Sequence, residues 1–430
     1  MIFTLVIFIA SVLTMILSVL FFPKIRIGKR SFPGYVVIVV CGALILMLTL
    51  KANLKTVISS LTGNTAVNPI KILILFLCMS GLSIFLDELG FFRYLASAVL
   101  KRAKTGQFKL FLFLYLIVSV LTVFTSNDVI ILSFTPFICY FAKNAKINPI
   151  PYLAGEFVAA NTWCMALVIG NPTNVYLATA SGIDFISYLK VMLLPTLMAG
   201  TIAFFLLFLL YFRKLKTPVC CQPETIKIKD KPLLIIGISH LAVCTILLAV
   251  SSYINIEMWL VSLLAFLSLT VSSAIVCKVR KRHRREVVIT LRRLPYELIP
   301  FILSMFVMIV ALNQNGITDL IVKALGNTYP IVKFGVASFL TCNVMNNIPM
   351  SVLFSSVLSS VSSLSAIYAT IIGSNLGAFF MPIGALAGIM WSNMIGKQGI
   401  KFGYLSFLKI GVLIALPTLA TALFGLWIIL

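Results

Sequence analysis

The chain has 430 residues, 61% of them hydrophobic and only 10% charged, with a formal net charge of +23. Apolar runs near 20 residues recur, the length that a hydrocarbon slab about 30 Å thick demands of a helix, so a soluble domain is excluded. A membrane β-barrel is excluded too, because its strands would alternate in short segments. The sequence reads as an all-α polytopic membrane protein.

The first run, "MIFTLVIFIASVLTMILSVLFF", has no basic leader and no small-residue cleavage site. It is expected to be a retained span. Further spans are expected at 34–50, 70–88, 108–126, 129–142, 151–180 (interrupted), 187–212, 233–252 and 256–277. The rest are 297–313, 328–343, 348–361, 366–394 (interrupted) and 404–429. Segments 129–142 and 348–361 are too short to cross and read as re-entrant hairpins. Basic loops at 24–30, 100–109, 213–218 and 278–293 are expected in the cytoplasm. The positive charge is therefore a topological bias, and no nucleic-acid partner is expected. The loop at 278–293 holds eight Lys/Arg against one acid, Glu286, and reads as a solvated connector.

The chain divides into N-terminal spans (1–69), a first transport repeat (70–212), linker spans with the basic loop (213–294) and a second transport repeat (295–430). Paired landmarks keep their order: Gly90/Gly316, Asn127/Asn346, Asn161/Asn375, Gly170/Gly384 and Gly182/Gly399, spaced by 226, 219, 214, 214 and 217 residues. The loop after Gly90 is basic, and the one after Gly316 is not. The two copies are expected to be inverted-topology repeats, with re-entrant hairpins and broken helices around a site near mid-depth.

Each copy has two polar interruptions. The first has Ser126-Asn127-Asp128 and "NTWCMALVIGNPTN" (161–174); the second has Asn346-Asn347 followed by Pro349, and "GSNLGAFFMPIGALAG" (373–388). Irregular backbone survives at membrane depth only where it is buried in protein or lines a watery cavity. Its free carbonyls suit cations and its free helix-start amides suit anionic or polar oxygens. The candidate solute-binding set is Ser126, Asn127, Asp128, Asn161, Thr162, Gly170, Asn171, Thr173, Asn174, Asn346, Asn347, Ser374, Asn375 and Gly384. Pro172 and Pro382 stand beside the two matched glycines and block helical continuation.

Only Asp128 and Glu156 are placed deep in spans, which makes them the candidates for proton coupling. Asp87 and Glu88 read as interfacial. Nine cysteines are scattered without metal-ligand spacing, and Cys164, inside the broken stretch, reads first as a small apolar filler. Neither His240 nor His283 has a partner motif. No zinc signature, nucleophile dyad or nucleotide loop is present, so no enzyme is expected. No cofactor is expected beyond a sodium ion or proton as coupling ion, with Asn127 and Asn346 as sodium ligands.

The stretches "FLDELGFF" (85–92), "TSNDVIILSFTPF" (125–137), "MNNIPMSVL" (345–353), "IIGSNLGAFFMPIGALAGIMW" (371–391) and "GIKFGYLSFLKIG" (399–411) resemble the arsenite permease and NhaD-type antiporter branch of the ion transporter superfamily. The resemblance runs over about 70–427. It implies two inverted repeats around a central site and secondary transport of ions or neutral oxyacids such as arsenite. "GNPTN" (170–174) is more similar to an element of sodium-coupled dicarboxylate carriers. Against the arsenite branch, amides stand at Asn161 and Asn375 where the resemblance implies acids, which leaves Glu156 as the substitute proton carrier.

The function expected is secondary active transport of a small ion or oxyacid across the cytoplasmic membrane, ArsB-like arsenite or antimonite export first. Sodium-coupled anion transport or sodium/proton antiport is the rival, and a passive channel subunit the rival of another class. The partners expected are the solute, the lipid bilayer, a second copy in a homodimer and a cytoplasmic ATPase docked on the basic loops.

Overall fold

The computed structural model describes the chain except residues 23, 28–29, 50, 64–67, 96, 98–105, 217–227, 229, 252–253, 282–284, 327, 382–383 and 401. Much of the basic loop at 100–109, the end of the one at 213–218, and Cys220, Cys221, His283 and Pro382 lie outside the described residues.

Helix α1 (Ile2–Phe21) leads into a two-stranded antiparallel ribbon, β1 (Lys24–Ile27) and β2 (Arg30–Pro33), with Lys24 opposite Pro33. The all-α reading did not anticipate this ribbon. Then come α2 (Gly34–Leu48), α3 (Leu54–Thr62) and α4 (Pro69–Glu88), the last capped by Asn68 and started by Pro69. A helical hairpin follows, α5 (Gln107–Phe124) and α6 (Asn127–Asn144), then a broken helix, α7 (Ile150–Trp163) and α8 (Pro172–Ala180), and then α9 (Phe185–Tyr211).

The second half runs through the same order. It has α10 (Lys231–Val250), α11 (Met258–Val279), a short α12 (Arg285–Arg293), α13 (Leu298–Gln314) and α14 (Ile317–Leu325). A hairpin, α15 (Pro330–Met345) and α16 (Asn347–Val361), precedes a broken helix, α17 (Leu364–Gly377) and α18 (Leu386–Lys397). The chain closes with α19 (Tyr404–Ile410) and α20 (Leu416–Ile429), joined by one π-turn, Gly411–Ala415. Among the described residues, seven helical stretches are long and apolar enough to cross a membrane.

Packing is reciprocal. The hairpin arm α6 lies against α18, and its counterpart α16 lies against α8. Likewise α2 packs on α13 and α11 on α4, while α9 packs on α20.

Polar contacts sort the helix ends into two sets. One set joins Arg280, just past α11, to Asp230, just before α10, at 3.3 Å. It also joins Arg293 to Asp87 (2.8 Å) and to Glu88 at the end of α4. In the same set, Tyr152 near the start of α7 donates to Gln107 at the start of α5 (2.7 Å). These ends adjoin the basic loops, so the positive-inside rule makes them cytoplasmic. The other set joins Lys71 at the start of α4 to Glu257 before α11 (2.5 Å). There the Asn53 amide donates to Gln314 at the end of α13 (2.9 Å) and Tyr368 near the start of α17 donates to the Ser187 carbonyl (3.3 Å). Hence α4 and α13 run antiparallel, and α7 and α17 enter from opposite ends.

Three readings need correction. The segment 278–293 is not wholly a solvated connector: its second part is α12, packed on α4, with Glu286, Val287 and Thr290 buried. The interfacial reading of Asp87 understates its burial: at the helix ends Asp87 (2% exposed), Asp230 (7%) and Glu286 (6%) are all buried. Arginines at the inner helix ends compensate Asp87 and Asp230, which a scan for unpaired charge in apolar runs misses. Asp128 is half-buried rather than buried.

Candidate functional site

The two interruptions of each half form because the sequence denies the helix its next residue. In the first half α7 ends at Trp163, the chain makes one 3-10 turn at Val168–Gly170, and α8 starts at Pro172, where a missing amide donor does no harm. Asn171 caps α8, its Oδ1 accepting from the Thr173 amide at 3.2 Å. A Cβ on Gly170 would lie 2.3 Å from the Cys164 carbonyl oxygen. Only glycine lets the returning backbone cross the open carbonyl end of α7 so closely. Gly384 repeats the device: its Cβ would lie 2.7 Å from the Gly377 carbonyl oxygen at the end of α17.

The broken ends of α7 and α17 meet. Asn171 donates to Asn375 Oδ1 at 2.7 Å, and Asn375 donates to Asn174 Oδ1 at 2.6 Å and to the Ile371 carbonyl at 2.8 Å. Asn174 in turn donates to the Cys164 carbonyl at 2.8 Å, one of the carbonyls freed where α7 stops. The Cys164 thiol donates to Asn375 Oδ1 at 3.1 Å, and Ser374 donates to Thr173 Oγ1 at 3.0 Å. Asn161, Thr162, Asn171, Thr173, Asn174, Ser374 and Asn375 are all no more than 1% exposed. The junction is thus made of amides, hydroxyls and one thiol, drawn from both halves.

A second group adjoins it at the tip of the first hairpin. Asn127 Nδ2 donates to Asn161 Oδ1 at 3.1 Å, while Asn127 Oδ1 accepts from the Asp128 amide at 2.9 Å. Asn161 Nδ2 closes on the Phe157 carbonyl at 2.8 Å. Two buried hydroxyls of this group, Ser126 Oγ and Thr162 Oγ1, have no hydrogen-bond partner.

In the second hairpin Asn346 takes a left-handed backbone (φ 75°) and caps α16 by accepting from the Ile348 amide at 3.3 Å. Its counterpart by position is Ser126, which stands just before α6. By helix start Asn127 stands with Asn347, the first residues of α6 and α16, one position from the pairing with Asn346 drawn from the sequence. Asn347 is buried. The halves also differ: Asn161 bonds to its own hairpin, whereas Asn375 bonds across to the other half.

Glu156 lies away from the junction. It is fully buried and accepts from the Thr135 hydroxyl at 2.9 and 3.1 Å. Its neighbour Phe157 packs on Trp391 of α18, ring centroids 5.1 Å apart. A residue the sequence reading passed over is Asn343, near the end of α15. Its Nδ2 donates to the Phe339 carbonyl at 2.8 Å, while its Oδ1 is buried and unpartnered, facing Gly384. An asparagine inside an apolar run was the available signal. Among the described residues, no group of His, Cys, Asp and Glu is placed to hold a metal ion.

A polytopic helical fold whose halves meet in buried, uncharged polar groups between broken helices defines the class: a membrane secondary transporter. The chain belongs to the citrate transporter family, CitMHS, whose model matches residues 27–367. It is 26% identical over 374 residues to an arsenical pump membrane protein of Escherichia coli, covering 82% of this chain and 84% of that protein. A namesake from Yersinia enterocolitica is 25% identical over the same length and coverage. These findings bear out the resemblance drawn from the motifs. The crystal structure of the Alcanivorax borkumensis YdaH transporter shares the fold, with a TM-score of 0.57 at 13% identity over 99% of this chain and 97% of that one. With seven apolar stretches long enough to cross and bacterial membrane proteins as relatives, the chain is integral to the cytoplasmic membrane.

Proposed function

We propose that the protein moves a small, uncharged oxyacid of the arsenite or antimonite type out of the cell, by alternating access around the Asn171–Asn174–Asn375 junction. The observation that carries this reading is the chemistry of the junction. Amides, hydroxyls and a thiol offer paired donors and acceptors to a neutral polyhydroxy solute. A citrate ion brings several negative charges, and the junction residues Cys164, Asn171, Thr173, Asn174, Ser374 and Asn375 include no lysine or arginine to receive them. The arsenical pump relatives agree in substrate chemistry. The opposed entry of α7 and α17 supports the inverted-repeat reading, in which two half-helices from opposite faces frame one site.

A second reading has its own observation. The orphan hydroxyls Ser126 Oγ and Thr162 Oγ1, next in the chain to the bonded pair Asn127 and Asn161, are of the oxygen type that ligates a monovalent cation. With the family's description as citrate transporters, they favour sodium-coupled uptake of a carboxylate. Everted vesicles separate the two readings. Arsenite accumulation that ignores sodium supports the first, whereas sodium-stimulated citrate flux without arsenite flux defeats it.

A further inference from the structure

Helix α12 has two faces with different tasks. Inward, Glu286, Val287 and Thr290 are buried against α4, and Arg293 reaches Asp87 and Glu88. Outward, Val288 is 43% and Leu291 36% exposed, and Arg285 and Arg292 are exposed beside them. Residues 285, 288 and 292 fall on one stripe of a helix. None of the ion pairs among the described residues uses Arg285 or Arg292. The one acid of α12, Glu286, is turned inward, so the outer face carries positive charge alone.

Depth follows from the Arg293 contacts. Helix α4 has 20 residues, about 30 Å at 1.5 Å each, so its end lies at the edge of the hydrocarbon. Tied to that end, α12 lies at headgroup level on the cytoplasmic side. An apolar row between arginines at that depth fits the boundary between acyl chains and phosphates. Guanidinium groups bind phosphate oxygens in pairs, and their stems lie along apolar surface.

We propose that the outer face of α12 is a docking surface for anionic phospholipid headgroups of the cytoplasmic leaflet. Because Arg293 of the same helix holds the end of α4, a lipid bound there steadies the cytoplasmic end of the first half.

The test uses the full chain in neutral detergent, melted against added dioleoyl phosphatidylglycerol or dioleoyl phosphatidylcholine. Phosphatidylglycerol raises the melting temperature and phosphatidylcholine does not. A basic residue near an anionic surface is worth about 1 kcal/mol. The double substitution Arg285→Gln/Arg292→Gln therefore shifts half-saturation tenfold or more, while melting without lipid stays at the parent value because both side chains are exposed. Lys143→Gln/Lys146→Gln, exposed at the end of α6, leaves the lipid response intact. Equal responses to the two lipids overturn the proposal. So does a parental response in the arginine double variant, or an equal loss in the lysine variant, which would reduce the effect to diffuse charge. Stabilisation by a soluble cytoplasmic protein without any phosphatidylglycerol response overturns it as well.

Discussion

Asn375 is the residue on which the two halves meet. Replacing it by alanine leaves the amide of Asn171 and the carbonyl oxygen of Asn174 without this partner, both no more than 1% exposed, while the Cys164 thiol keeps the Asn161 carbonyl at 3.2 Å. Each orphan costs about 1–3 kcal/mol, so Asn375→Ala should destabilise by roughly 3 kcal/mol, readable as a lowered denaturation midpoint in detergent. Arg293→Gln should act by another route: it strands Asp87, whose side chain is 1% exposed, beside Glu88. Removing one partner of a buried pair costs about 3–5 kcal/mol, and Asp87→Asn in the same chain should recover part of the loss. At the outer surface the Lys71 ammonium, aided by the Trp259 indole, holds the Glu257 carboxyl below the ordinary glutamate range despite partial burial. A carboxyl lowered on folding adds stability above its unfolded pKa and loses it as pH falls through the folded one. The acid limb of melting temperature against pH should thus flatten in Lys71→Gln, by no more than about 1 kcal/mol because the carboxylate is half exposed. Much of this scale was legible, because an asparagine in an apolar run is expensive wherever it stands. Asn343 escaped, since no helix breaker stands beside it. The burial of Asp87 also escaped, since its arginine lies 206 residues away.

In the proposed transport cycle the broken helices are the elements that carry the mechanism. Gly170 and Gly384 do the same job in each, letting the chain cross a carbonyl end at a distance no Cβ tolerates. Gly384→Ala also drives into Asn343 Oδ1, 2.9 Å from the added carbon. Overpacking of this kind costs about 1–3 kcal/mol, and transport should fall at least tenfold while the chain still inserts, as a flux assay normalised to surface labelling would record. Glycine and proline in apolar runs made these breaks readable from the sequence, to within a few residues. The hairpin register was not, because Ser126-Asn127 and Asn346-Asn347 can be matched in two ways and only the helix starts decide. Helix α12 was hidden for a different reason: in "REVVITLRR" the charge at both ends obscures the inward row Glu286, Val287, Thr290, which takes meaning only against α4. Glu156 also belongs at this scale, since it ties α7 to α6 through Thr135. If it carries a proton, Glu156→Gln should flatten the pH dependence of transport; a parental pH profile would remove it from the mechanism.

Across the whole molecule, helix ends are pinned in two places. Arg280 and Arg293 hold the cytoplasmic ends, and the Lys71–Glu257 pair holds the outer ends of α4 and α11. Between them the polar side chains of the junction are joined by hydrogen bonds, each worth only about 1 kcal/mol net. A solute that supplies equivalent donors and acceptors can therefore replace these bonds at little cost, which is what a transport site needs. The repeated element order was legible because matched landmarks keep their spacing, and the opposed senses followed from loop charge. What sequence could not reveal is that Asn161 and Asn375, matched in order, differ in partners. The account rests on the junction being the place the solute occupies. It is tested most directly by arsenite and citrate flux into proteoliposomes holding Asn171→Ala or Asn375→Ala, at equal amounts of protein that still melts cooperatively. Rates below a tenth of the parent for the transported solute are the result the account predicts, and parental rates from both variants would contradict it.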